Sequence, residues 1–129
     1  MSNFRTPLSR ARGVGAAKHG VGHWIGVRLT AIAMIPLALW AVLAALALAR
    51  TGYDGAVAWI ASPVNATLTA LFVILGFFHM HNGLQEVVVD YIERPISKLA
   101  LMALNFMVCA LAAGLAIISI LKVALGGAL

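Results

Sequence analysis

A chain of 129 residues that is 63% hydrophobic, only 10% charged and of mean hydropathy +1.01 lies outside the range of soluble globular domains. The net charge of +5 would point to nucleic acid in a soluble protein, but here the cations flank apolar segments, where membrane topology accounts for them. The length excludes a large catalytic domain, and the lone Cys109, inside an apolar run, excludes both a disulfide framework and a CxxC metal pattern. The composition therefore predicts one integral membrane domain over residues 1–129 that leans on partner subunits.

Residues 1–24 are polar, carry Arg5, Arg10, Arg12 and Lys18, and contain no acid. They lack the apolar core of a secretory signal, although an Arg-rich, acid-free stretch is also the mark of an organelle transit peptide. Pro7, Gly13, Gly15, Gly20 and Gly22 argue against a long helix, so the segment is expected to be a cytoplasmic tail.

A first membrane helix is expected from about residue 25 to 49, long enough to cross a hydrocarbon core of about 30 Å. Pro36 lies in its middle and is expected to kink it, and Trp24 stands at its entrance as an interfacial anchor. Arg28, about one turn inside the apolar run, has two readings: a side chain snorkelling to the headgroups, or a partner for a buried anion. Residues 50–63 form a short interfacial loop marked by Tyr53 and Trp59. A second helix is expected over about 64–89 and a third over about 99–121. Pro95 stops the second, and Lys98 and Lys122 bracket the third. Ala103, Ala110, Ala112, Ala113 and Gly114 suit close packing of that third helix against others.

Three spans put the termini on opposite sides. The amino-terminal segment through Arg28 holds five of the nine Lys and Arg residues, and Arg94 and Lys98 add to the same side. Only Arg50 and Lys122 lie opposite, so the amino terminus is cytoplasmic, or on the matrix side in a mitochondrion.

The unusual stretch is His79 to Tyr91, where polar groups crowd the second half of a membrane helix. At about 100° per residue, Gly83, Glu86 and Asp90 fall within roughly 40° of His79 on one stripe, with His81 and Gln85 on a different face. His79 precedes Asp90 by a rise of about 16 Å and so lies well inside the hydrocarbon. It is either a neutral histidine satisfied by a neighbouring helix or a haem-iron ligand, with Gly83 one turn on relieving the bulk beside a macrocycle. His19 and His23 precede the first helix and His81 points away, so a second axial ligand has to come from another subunit. Asp90 and Tyr91 are either a capping acid and an interfacial aromatic, or a site for a quinone head, the Tyr91 hydroxyl donating to a quinone carbonyl.

Two stretches resemble a known family. His23-Trp24-Ile25-Gly26-Val27-Arg28-Leu29-Thr30-Ala31, with Pro36, Leu37 and Trp40 downstream, is similar to a pattern of His and aromatic residues followed by Arg-x-Thr-Ala. His79, then Gly83-Leu84-Gln85, then Asp90-Tyr91, resembles the spacing from haem histidine to an Asp-Tyr pair. Both are found in the small haem-b membrane anchors of succinate dehydrogenase, respiratory complex II, of the D type of alphaproteobacteria and mitochondria. The resemblance implies an all-α, three-span bundle packed against a partner anchor. It implies His79 as one axial ligand of haem b, Arg28 near the propionates, and Tyr91, supported by Asp90, at ubiquinone. It further implies a C-type haem anchor, an iron–sulfur subunit and a flavoprotein subunit as partners in the bacterial inner membrane, or the mitochondrial one in a eukaryote. Succinate:quinone oxidoreduction would then belong to the complex and no catalysis to this chain alone. The sequence departs from the family at Val27, His81, Glu86 and Glu93-Arg94-Pro95. An anchor of a fumarate reductase or another haem-b quinone oxidoreductase is the alternative. A small proton-coupled transporter using Glu86 is the alternative from another class.

Overall fold

The computed structural model describes residues 6–11 and 20–126, and of residues 9 and 10 the backbone alone. Among the described residues there are five helices and no strand: α1 (Pro7–Ala11), α2 (Gly20–Leu48), α3 (Gly52–Ile60), α4 (Pro63–Tyr91) and α5 (Pro95–Ala124). The three long helices are each apolar and long enough to cross a membrane, which bears out the all-α, three-span expectation. At 29, 29 and 30 residues they exceed the ~20 that span the hydrocarbon.

That excess explains where the helix bounds differ from expectation. Hydropathy reports the crossing, whereas helical hydrogen bonds within a segment need no lipid and run on past the apolar residues. So α2 begins at Gly20, not near residue 25, and draws His23 and Trp24 into the helix. Five residues of the supposed tail of residues 1–24 thus belong to α2, and Arg5, Arg12, Lys18 and His19 lie outside the described residues. α2 runs without interruption through Pro36.

Residues 50–63 are not a simple loop. Gly52 turns the chain at φ +68, a conformation that an L side chain rarely adopts, and α3 follows at once. Its Trp59 stacks on Trp40 of α2 with ring centroids 5.7 Å apart, and the Trp59 carbonyl accepts from Asn65 Nδ2 of α4 at 2.9 Å. α3 therefore ties the far ends of α2 and α4 together, and it touches α5 as well. Gly52, Asp54 and Gly55 made this stretch resemble a turn, while the apolar side chains that anchor it are too few to register as a span.

Pro95 does more than stop α4. Arg94 is extended at ψ 119, as the residue before a proline must be, and Pro95 then occupies the first turn of α5. The helix accordingly starts at Pro95 instead of near 99. Lys98 Nζ donates to the Val89 carbonyl at 3.0 Å, satisfying one of the orphan acceptors at the end of α4.

α4 is the centre of the bundle. It packs along α5 on one side and α2 on the other, while α2 and α5 do not touch among the described residues. The interior is thin: Cys109 is the one buried hydrophobic residue described, and no described side chain is fully enclosed. Membrane helices associate without a hydrophobic drive between them, so a large apolar surface left to lipid or to other membrane helices carries no penalty. Of the small residues expected to pack α5 closely, Gly114 is not used within the chain, since nothing stands within 4 Å of where a Cβ would lie there.

Candidate functional site

The polar stretch of α4 is sorted by its two helical neighbours. His79 faces α2, where its Nδ1 lies 3.2 Å from Thr30 Oγ1. His81 faces α5, where Asn105 Nδ2 donates to its Nδ1 at 3.1 Å and to its carbonyl at 2.9 Å. Phe106 meets the His81 ring edge-on at 5.9 Å, and Cys109 Sγ donates to Asn105 Oδ1 at 3.4 Å. The separation of the two histidines onto different faces, expected from helical geometry, is thus realised in packing. Each histidine thus has its Nδ1 bonded to a neighbouring helix and its Nε2 without a partner among the described residues, and what separates them is the face: His79 toward α2, His81 toward α5.

Asn105 gave little signal in the sequence beyond being polar inside an apolar run. Replacing it with leucine strands the His81 Nδ1 in an apolar setting. We expect a cost of about 1 kcal/mol, toward the lower end for a lost buried hydrogen bond because alternatives are found in the membrane-unfolded state. A denaturant titration of the solubilised complex measures it, and no loss of stability would remove Asn105 from the α4–α5 contact.

A groove of ≈ 520 Å³ opens between α2 and α4 beside His79. Gly20, His23, Trp24, Val27, Arg28 and Ala31 line it from α2, and His79 and Glu86 from α4. Gly83, on the same stripe, has no atom within 4 Å of a would-be Cβ, so the space one turn from His79 is open. The Arg28 guanidinium stacks over Trp24, 5.4 Å from the ring centroid, a favourable cation–π placement. It has no carboxylate partner among the described residues, since the one ion pair found there joins His23 Nδ1 to Glu86 Oε1 at 3.5 Å. His23 was expected ahead of the helix, and the longer α2 instead brings it to the groove. Glu86, whose position on the stripe had no assigned partner, meets it there.

Asp90 and Tyr91 lie at the end of α4, both exposed, with Tyr91 at 80%. They are not brought together with His79, whose position is eleven residues back along the helix. A pocket around Tyr91 therefore needs walls from outside this chain. Among the described residues no three metal-ligating side chains converge, so a metal at His79 needs the rest of its ligands from a macrocycle or another chain.

Residues 2–117 match the succinate dehydrogenase/fumarate reductase transmembrane subunit family. The chain belongs to this family. It is also similar to proteins named succinate dehydrogenase hydrophobic membrane anchor subunit. The one from Rickettsia bellii is 31% identical over 70% of this chain and 73% of its own length, and the one from Paracoccus denitrificans 31% identical over 76% of each. A third, from Rickettsia conorii, is 25% identical over 70% of this chain and 73% of the relative. No solved structure matches the chain. Membership of this transmembrane-subunit family agrees with the three spans and with the resemblance carried by the stretches around Arg28 and His79.

Proposed function

We propose that the chain is the membrane anchor of a succinate:ubiquinone oxidoreductase, giving one axial ligand to haem b and part of the site where ubiquinone is reduced. The observation that carries the haem assignment is the α2–α4 groove, which His79 lines from well inside the span of α4 and which Arg28 lines from α2 as a cation without a carboxylate partner among the described residues. These residues fit a haem: an imidazole donor, open space at Gly83, and a guanidinium suited to a propionate. Bound there, haem b would supply a one-electron centre. The remaining axial ligand comes from a C-type anchor subunit, consistent with the absence of any second histidine on that face of α4.

Tyr91 binds the quinone. Its hydroxyl donates to a quinone carbonyl, and Asp90, adjacent in the chain and at the same membrane surface, orients it and helps protons reach the reduced oxygen from water. Protons are available at this interface, while the isoprenoid tail remains in lipid. A pocket for the head group is completed by the C-type anchor and the iron–sulfur subunit, which account for the exposure of Tyr91 in this chain by itself. Electrons come from succinate through the flavoprotein and iron–sulfur subunits. The amino-terminal ends of α2 and α5, with Arg28 and Lys98, face the cytoplasm in a bacterial inner membrane, or the matrix in a mitochondrion.

The test is a reduced-minus-oxidised spectrum of the complex purified through this chain, with its subunits identified. A b-type signal with co-purifying flavoprotein and iron–sulfur subunits is the expected result, and no b-type signal would overturn the haem assignment.

A further inference from the structure

We infer that Thr30 sets the tautomer of His79, keeping the ring proton on Nδ1 and leaving the lone pair on Nε2 free to bind a metal. The inference rests on His79 being the haem ligand, and makes Thr30 a positioning residue for it.

Thr30 Oγ1 lies 2.9 Å from the Gly26 carbonyl, 3.0 Å from the Val27 carbonyl and 3.2 Å from His79 Nδ1. A hydroxyl has one proton and two lone pairs. Carbonyl oxygens only accept, so the two oxygen contacts are attractive only when the hydroxyl proton points to one of them or is shared between them. Such donation to the preceding turn is the usual behaviour of threonine in a helix. The proton is then spent, and what Thr30 turns toward His79 is a lone pair. Nδ1 must therefore carry the hydrogen.

The opposite arrangement, with Thr30 donating to Nδ1, leaves lone pairs facing at 2.9 and 3.0 Å. Thr30 is only 8% exposed, in an apolar helix, so water cannot relieve that repulsion. With Nδ1 protonated, Nε2 is the basic nitrogen, and it has no partner among the described residues. A metal-bound histidine ordinarily donates its other N–H to an oxygen, which fixes the ring and raises its basicity. Here the chain from His79 Nδ1–H to the Thr30 hydroxyl to a helical carbonyl does both. It joins α4 to α2 at the same time, so the ring is oriented by the helix across the groove.

The variants Thr30→Val, which keeps the shape and loses the acceptor, and Thr30→Ser, which keeps the hydroxyl, test this in the assembled complex. Two readouts are needed. Nitrogen-15 spectra of labelled histidine in complex depleted of haem, with His79→Gln locating the His79 signals, report the tautomer without reference to haem. In the haem-loaded complex, haem affinity and midpoint potential report its consequence. We expect His79 to bear its proton on Nδ1 in the unaltered complex and in Thr30→Ser, and to lose that preference in Thr30→Val. We further expect Thr30→Val to weaken haem binding about 10- to 100-fold. The potential should rise, because a less basic imidazole favours the ferrous state, and Thr30→Ser should restore both. A proton found on Nε2 in the unaltered complex, or a tautomer preference and potential unmoved by Thr30→Val, would overturn the inference. Failure of the haem assignment itself reads differently: haem would survive His79→Gln, while the nitrogen-15 result stands independently.

Discussion

Replacing His79 with alanine is expected to strip haem b from the complex, whereas His81→Ala leaves the haem in place. The two residues are two positions apart and chemically identical, so the contrast isolates their surroundings. His79 lines the α2–α4 groove, on the face that also holds Arg28 and the open space at Gly83. His81 has its Nδ1 and its carbonyl engaged by Asn105 on the opposite side of α4. Even residues that only support a metal ligand change affinity by about 10- to 100-fold when removed, so deleting the ligand should weaken binding by at least about 100-fold. The check is the b-type amplitude per flavin in each purified variant. Haem retained in His79→Ala and lost in His81→Ala would show that the groove is not the haem face. The His81 variant should be measurable by its stability instead, because it leaves Asn105 without its imidazole acceptor.

Tyr91→Phe is expected to reduce ubiquinone turnover with haem content unchanged. The substitution removes one hydroxyl at a position that is exposed and remote along α4 from His79, so neither the fold nor the haem face should notice it. The lost donor is worth about 0.5–1.5 kcal/mol net in the reacting complex, which corresponds to roughly a 2- to 10-fold fall in kcat/KM for ubiquinone. The drop should appear in quinone reduction and be absent when succinate oxidation is followed with an artificial acceptor that takes electrons from the soluble subunits. Equal ubiquinone rates for the variant and the unaltered complex would remove Tyr91 from the quinone site.

These two experiments probe features that differ in how far they could be read from the chain. The stripe of His79, Gly83, Glu86 and Asp90, and the turning away of His81, follow from the helical period alone, and the packing against α2 and α5 agrees with it. Thr30 was visible as part of the Arg-x-Thr-Ala pattern, but its partner lies 49 residues further on, and no local rule connects the two. His23 was set aside because hydropathy placed it before the first helix. The helix in fact starts at Gly20 and carries it to Glu86. The helix α3 escaped because its Gly and Asp residues signal turns, and its anchor, the Trp40–Trp59 stack, is a contact between elements.

By itself the sequence determined the membrane class, the three spans, the side on which the cations gather and the angular sorting of the polar residues within α4. Each of these depends on composition or on the 3.6-residue period, which are properties of a segment in isolation. Only the tertiary structure decided that α4 lies between α2 and α5, that Thr30 meets His79, that Asn105 meets His81, and that Arg28 and His79 border one groove. Those pairings depend on which helices lie side by side and at what axial offset. That choice is made by many weak packing contacts acting together, and no single stretch of sequence encodes it.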